Sequence, residues 1–276
     1  MSRVIRVFPT RTSVTPDDEL VRVGIGPGFF DEADRVEISV AFTWNLKLAE
    51  WLERQWRHVA PTTMGGPALM TRGEDFTPGR FVRHGRTITS RGCPNKCWFC
   101  SVWRREGEGV RELAIHDGYD ILDDNLLACS DGHVKDVFAM LGRQAEKPRF
   151  TGGLEAKRLK PWHCEALRKL KPERLYFAYD TPDDYEPLVE AGKMLREAGF
   201  TTASHVLGCY VLCGHRGDTF DKAMTRCRQA HSAGFMPYAM AYCDPATGRA
   251  SSAWTRWARQ FLRPQIAATI LRGGNR

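Results

Sequence analysis

Short apolar runs alternate with longer amphipathic ones along most of the chain. Val4-Ile5-Arg6-Val7-Phe8 and Val36-Glu37-Ile38-Ser39-Val40-Ala41-Phe42 read as strands, the second alternating cleanly between apolar and polar positions. Over residues 44–58, Leu48, Trp51, Leu52 and Trp56 recur at helical spacing. A third strand is expected to end at Met64-Gly65-Gly66-Pro67. Residues 1–75 are therefore expected to form a small α/β segment. Gly73, Pro78, Gly79 and Gly85, set among charged residues, mark 71–86 as a linker.

From there strand and helix signals alternate six times, with candidate strands at 87–91, 119–123, 149–152, 174–180, 202–212 and 236–242. Thr181-Pro182-Asp183-Asp184 supplies a cap, a proline for the first helical turn and acids beside its amides. Pro161 opens another helix, and Asp218 is expected to cap the one that runs to Ala233. Short strands alternating with helices predict an α/β fold with a parallel sheet wrapped into a partial (β/α)6 barrel over 76–245. The remainder, 246–276, reads as a basic C-terminal helix or tail. Its 31 residues hold six arginines and no acid, nearly all of the net charge of +7. Trp254, Trp257, Phe261 and Leu262 share one helical face, and Arg256, Arg259 and Arg263 share another. Pro264 is expected to end or kink that helix. The aromatic face suits docking on the barrel, and the arginines suit either solvent or phosphates of a nucleotide or nucleic acid.

Hydrophobic content of 42% and charged content of 26% are those of a globular chain. No apolar run approaches a membrane span, and the first residues lack the apolar core of a signal peptide. Nine cysteines without a disulfide-like framework point to a reducing, cytoplasmic setting.

Three of those cysteines stand in Arg91-Gly92-Cys93-Pro94-Asn95-Lys96-Cys97-Trp98-Phe99-Cys100. A C-x3-C-x2-C loop can aim three thiolates at one point, and soft sulfur ligands suit an iron–sulfur cluster, zinc or Cu(I). Zinc would call for a fourth ligand nearby. The next cysteine is Cys129, and His84 and His116 lie outside any usual spacing. The motif, with Phe99 before its last cysteine, resembles the signature of the radical SAM superfamily. That resemblance implies a [4Fe-4S] cluster on Cys93, Cys97 and Cys100. The open iron would chelate S-adenosylmethionine, whose reductive cleavage yields a 5′-deoxyadenosyl radical that abstracts hydrogen from a substrate. It also implies a flavodoxin- or ferredoxin-like reductant.

Barrel chemistry lies at the carboxyl ends of the strands. Asp124, Asn125 and Glu155 resemble positions near the methionine and ribose of the cofactor, and Asp180 ends the fourth strand. Each also has an ordinary reading as a turn former or helix cap. The 208–217 stretch resembles a glycine motif that passes the adenine, departing from it in detail. The first segment resembles, in shortened form, the cobalamin-binding domain of one radical SAM branch. It lacks the Asp-x-His-x-x-Gly sequence that supplies the cobalt ligand, so no cobalamin is expected. Cys164, Cys227 and Cys129 read as structural. Cys209, Cys213 and Cys243 read as buried thiols or a second metal or redox site. The substrate class left open includes nucleotides and nucleic acids. The alternative to radical catalysis is a zinc- or cluster-binding module that contacts nucleic acid through its basic tail.

Overall fold

The computed structural model describes residues 2–244 and 247–273. The expected boundary at 245/246 and the last three residues of the basic tail lie outside them. The fold is mixed α/β with parallel sheets, and it divides into two compact units, Met1–His116 and Asp117–Arg276. Among the described residues no helix is long and apolar enough to cross a membrane.

In the first unit, β1 (Val4–Phe8), β2 (Val21–Val23), β3 (Arg35–Ser39) and β4 (Thr62–Gly65) form a parallel sheet in the order β2-β1-β3-β4. The alternation of β1 and β3 turns Ile5, Val7, Val36 and Ile38 inward. There they meet Ala49, Leu52 and Trp56 of α1 (Leu46–Trp56), the helix expected from the Trp51/Leu52/Trp56 spacing. Strand β2 carries no sequence signal, because three residues cannot display alternation; its pairing with β1 creates it.

The expected linker, 71–86, has almost no regular structure but is not a free spacer. Arg80 grips the buried Glu37 of β3 through two hydrogen bonds of 2.8 and 3.2 Å, and Phe76 is buried. Beyond it, a single strand expected over 87–91 is broken into β5 (Arg86–Thr87) and β6 (Ser90–Arg91). The break follows because Ser90 and Arg91 pair antiparallel with β7 (Arg111–Glu112). Between them lies a short helix, α2 (Val102–Glu106).

The second unit contains β8 (Asp120–Ile121), α3 (Asp131–Gly142), β9 (Arg149–Leu154), α4 (Pro161–Leu170), β10 (Arg174–Ala178), α5 (Tyr185–Glu197), β11 (Leu207–Cys213), α6 (Phe220–Ser232) and β12 (Met236–Ala241). Its strands are parallel and neighbour one another in chain order, β12-β11-β10-β9-β8. One face of the sheet carries Leu175, Phe177, Cys209, Val211 and Ala239, all buried, with α6 packed on β11 and β12. The Tyr179 hydroxyl reaches across that side to Gln229 of α6 at 2.7 Å.

Three local expectations need correction. Helix α6 is capped by Thr219, whose hydroxyl accepts from Lys222 N at 3.2 Å. Asp218, expected to be the cap, instead binds Arg226 at 2.8 Å and the Gly214 amide at 2.8 Å. Pro264 does not merely end the tail helix: α7 (Ser252–Ala258) passes through a 3-10 turn, and Pro264 begins α8 (Pro264–Gly273). A proline in the first turn loses no hydrogen bond, so it suits a helix start. Trp254, Trp257 and Phe261 form a chain of ring contacts with Phe220, but Leu262 is 48% exposed and leaves that face. Arg256, Arg259 and Arg263 are exposed.

The packing of α5 depends on a missing side chain. A Cβ on Gly192 would stand 2.0 Å from the Ala233 carbonyl oxygen, whereas one on Gly142 would meet only Leu170 at 3.7 Å. Gly192→Ala is expected to destabilise the protein by about 1–3 kcal/mol through overpacking. Gly142→Ala is expected to be neutral or to stabilise by up to about 1 kcal/mol by removing a helical glycine. Urea denaturation of both variants checks the pair; equal effects would contradict the packing described.

Candidate functional site

The cysteine loop belongs to the first unit and is held at both ends. Gly92 has φ 92°, and a Cβ there would stand 2.2 Å from the Gly109 carbonyl oxygen, so only glycine allows this approach. At the far end Glu106, 7% exposed, receives the Gly73 amide at 3.2 Å and Arg105 Nε at 2.8 Å. Arg111 adds its charge at 3.8 Å. Arg91, which leads into the loop, crosses Gly73 and donates to the Glu74 carbonyl at 3.0 Å.

Inside the loop the backbone turns tightly. Cys100 N donates to the Cys97 carbonyl at 3.1 Å, and Trp103 Nε1 donates to that same oxygen at 3.1 Å. The Val102 amide points at Cys100 Sγ, 3.5 Å away. An amide aimed at sulfur favours the thiolate, the form that binds metal. Cys93, Cys97 and Cys100 are each half-buried, and no disulfide joins any of the nine cysteines. Among the described residues no group of three or more His, Cys, Asp or Glu side chains is arranged to hold a metal ion. The fit to an iron–sulfur cluster therefore lies in the donor set: three thiols within eight residues, on a loop pinned at both ends.

The other candidate residues belong to the second unit, and two of them are brought together. Between Leu175 and Phe177 the pairing of β10 with β9 jumps from Phe150 to Leu154, so Thr151-Gly152-Gly153 bulges. Bulges of this kind recur beside functional sites because they re-aim side chains. A Cβ on Gly152 would stand 2.4 Å from the Asp123 carbonyl oxygen, so the bulge leans directly on the turn after β8. That contact sets Asn125 Nδ2 2.7 Å from Glu155 Oε2, which also accepts from Arg158 Nε at 2.7 Å. Oε1 of Glu155 has no hydrogen-bond partner among the described residues. Asp124 is half-buried beside Asn125.

Asp180 stands outside this group. Its Oδ1 accepts the Leu212 amide at 3.0 Å, and burial pushes its carboxyl up to about 6, against the lowering effect of that hydrogen bond.

Sequence reasoning missed the other face of this sheet. Strand parity places Tyr176, Tyr210 and Tyr238 opposite the helix-covered side. Tyr176 and Tyr210 stack at 4.5 Å and 7°, and Tyr238 meets both edge-on. Gly208, expected near the adenine, makes room for the Tyr176 ring, which a Cβ would approach to 2.6 Å. The Tyr210 hydroxyl donates to the Thr151 carbonyl at 3.1 Å, and Thr151 Oγ1 donates to Asp120 at 2.6 Å. Alternate positions along β10, β11 and β12 carry this pattern in the sequence. Cys209 and Cys213 lie on the helix-covered side and are wholly buried, as is Cys227 of α6, while Cys243 is exposed. Burial raises the Cys213 and Cys227 thiols to about 12 and the Cys209 thiol well above its usual range.

Asp180 makes stability depend on pH. Its folded form holds the proton more tightly than the unfolded chain, so its contribution is complete below the ordinary carboxylate range. That contribution falls as pH rises toward about 6. Relative to Asp180→Asn, which keeps an acceptor for Leu212 N, the wild type is expected to lose stability over this window. The loss is expected to reach about 3 kcal/mol at most. Denaturation of both proteins from pH 4 to 7 reads the difference; a difference that does not vary with pH would contradict it.

No family model matches the chain, and no curated protein matches it either. The functional reading stands on the residues and their geometry.

Proposed function

We propose that the chain is a radical SAM enzyme, and the observation that carries this is the doubly anchored Cys93-x3-Cys97-x2-Cys100 loop. The reading is supported by the sequential parallel strands of the second unit, whose chain-order arrangement suits a partial barrel. Cys93, Cys97 and Cys100 would hold a [4Fe-4S] cluster. With S-adenosylmethionine bound, that cluster would supply reductive cleavage of the sulfonium and a carbon radical able to take hydrogen from a substrate.

The chain's own residues have narrower tasks. Gly92 and Glu106 hold the loop ends so that three thiols are presented from a short, fixed segment. Asn125 and Arg158 fix the Glu155 carboxylate through Oε2, and Glu155 would accept from the cofactor's ammonium group. Asp124 and Asp180 would be the acceptors for cofactor hydroxyls. The reductant would be flavodoxin- or ferredoxin-like. The substrate is unidentified; the exposed Arg256, Arg259 and Arg263 would suit one that bears phosphates, a nucleotide or a nucleic acid.

Anaerobic reconstitution tests the assignment. The wild type is expected to turn brown, with iron and sulfide each at about four per chain, as a four-iron cubane requires. Dithionite with S-adenosylmethionine is then expected to release 5′-deoxyadenosine. Cys97→Ala should lose the iron, because two thiolates cannot hold the cubane. Cys164→Ala, which alters a buried thiol of α4, should keep it. A colourless zinc-loaded wild type, or wild-type iron content in Cys97→Ala, would overturn the proposal.

A further inference from the structure

The order β2-β1-β3-β4 contains a reversal: the chain leaves β1 for one neighbour, then crosses back to the other side of β1 to form β3. In open parallel sheets ligands bind outside the carboxyl ends of the strands at such a switch point, where adjacent loops diverge and leave a crevice. The first unit has a cavity of about 550 Å³ there, lined by Phe8 at the end of β1 and Pro9 beyond it, Ala41 and Phe42 after β3, and Gly66 and Pro67 after β4. Its volume lies within the roughly 300–1,000 Å³ of pockets that enclose small organic ligands.

The lining states a chemistry. Phe8, Phe42, Phe76 and Phe81 contribute ring surface, and Thr10, Ser39, Thr71 and Thr77 contribute hydroxyls. The charged lining residues balance. Glu37 is held by Arg80 and Glu106 by Arg105, Glu74 lies 3.5 Å from Arg80, and with Asp75, Arg72 and Arg91 the lining holds four acids and four arginines. Carboxylates already gripped by guanidinium groups leave little net field for a polyanion. Rings with hydroxyls in a neutral enclosure suit a ligand with an aromatic face and several neutral donors and acceptors.

We propose that the first unit binds such a ligand in this cavity: a planar heteroaromatic ring carrying an uncharged polyhydroxyl arm. Two sources share that chemistry, a nucleoside and a flavin. The inference does not rest on the cluster, although Arg91 brings the cavity wall up to the start of the cysteine loop.

The test uses the full chain with riboflavin, followed by fluorescence quenching, and with adenosine, followed by equilibrium dialysis. Gly65→Leu fills the cavity at little cost to the fold. Gly65 lines it, its φ is not positive, and a Cβ there meets only Thr71, at 3.6 Å. Thr71→Phe fills it from an exposed position and answers the same question if Gly65→Leu fails to fold. Binding of at least one probe to wild type is expected. Each variant should weaken it by at least about tenfold, or about 1.4 kcal/mol. Excess S-adenosylmethionine should leave the binding unchanged, and iron uptake on reconstitution should match wild type in both variants. A lost cluster and a lost ligand are thus separate readings.

The proposal is overturned if neither probe binds, if both fill-in variants bind as wild type does, or if S-adenosylmethionine displaces the probe. It also falls if flavin mononucleotide or adenosine monophosphate binds more than about tenfold tighter than its uncharged parent, about 1.4 kcal/mol. Retention of hydroxocobalamin after desalting, without binding of either probe, would likewise sink it.

Discussion

Glu106 is a carboxylate with almost no access to water, and the cysteine loop depends on it. A buried charge is tolerated only when it is paired and hydrogen-bonded, since an isolated one would cost several kcal/mol or more. Its partners are the Gly73 amide, from a stretch far back in the sequence, and two arginines close by in the chain, Arg105 of α2 and Arg111 of β7. The contact with Gly73 ties the end of the cysteine loop to the irregular 71–86 stretch. The electrostatic requirement of one side chain thereby anchors one end of the segment that carries three thiols.

The second unit is organised by a different constraint, the two-residue period of its strands. One parity is apolar and sealed by helices; the other carries Tyr176, Tyr210, Tyr238 and Asp180. The sealed face explains why Cys209, Cys213 and Cys227 have raised thiols: burial in apolar surroundings disfavours the thiolate and leaves them inert. The open parity keeps polar groups at strand ends, and the glycine bulge of β9 completes it by drawing Glu155 onto Asn125. Two groups of cysteines thus differ in environment: Cys93, Cys97 and Cys100 are half-buried on an anchored loop, and Cys209, Cys213 and Cys227 are sealed between sheet and helices.

Glu37 repeats in the first unit what Glu106 does. Held by Arg80, it fixes an irregular stretch across the carboxyl ends of β1 and β3 and so closes one side of the cavity there. Segments without regular structure are held in place here by ion pairs to buried carboxylates.

Much of this protein was determined locally. Apolar periodicity placed β1, β3, α1 and most of the strands and helices of the second unit, because the 2.0 and 3.6 periods are written directly in residue order. The cysteine spacing marked the metal-ligand candidates, because three thiols within eight residues share a loop in any fold. Tertiary structure decided the rest. Strand β2 exists because β1 offers it hydrogen bonds, and the 87–91 strand breaks because β7 captures its second half. Asn125 meets Glu155 through a bulge that only the clearance at Gly152 reveals. Glu106 and Glu37 read in sequence as ordinary surface acids. Their burial, the Arg80 that holds Glu37 and the Gly73 amide that reaches Glu106 arise from contacts between segments that residue order does not encode.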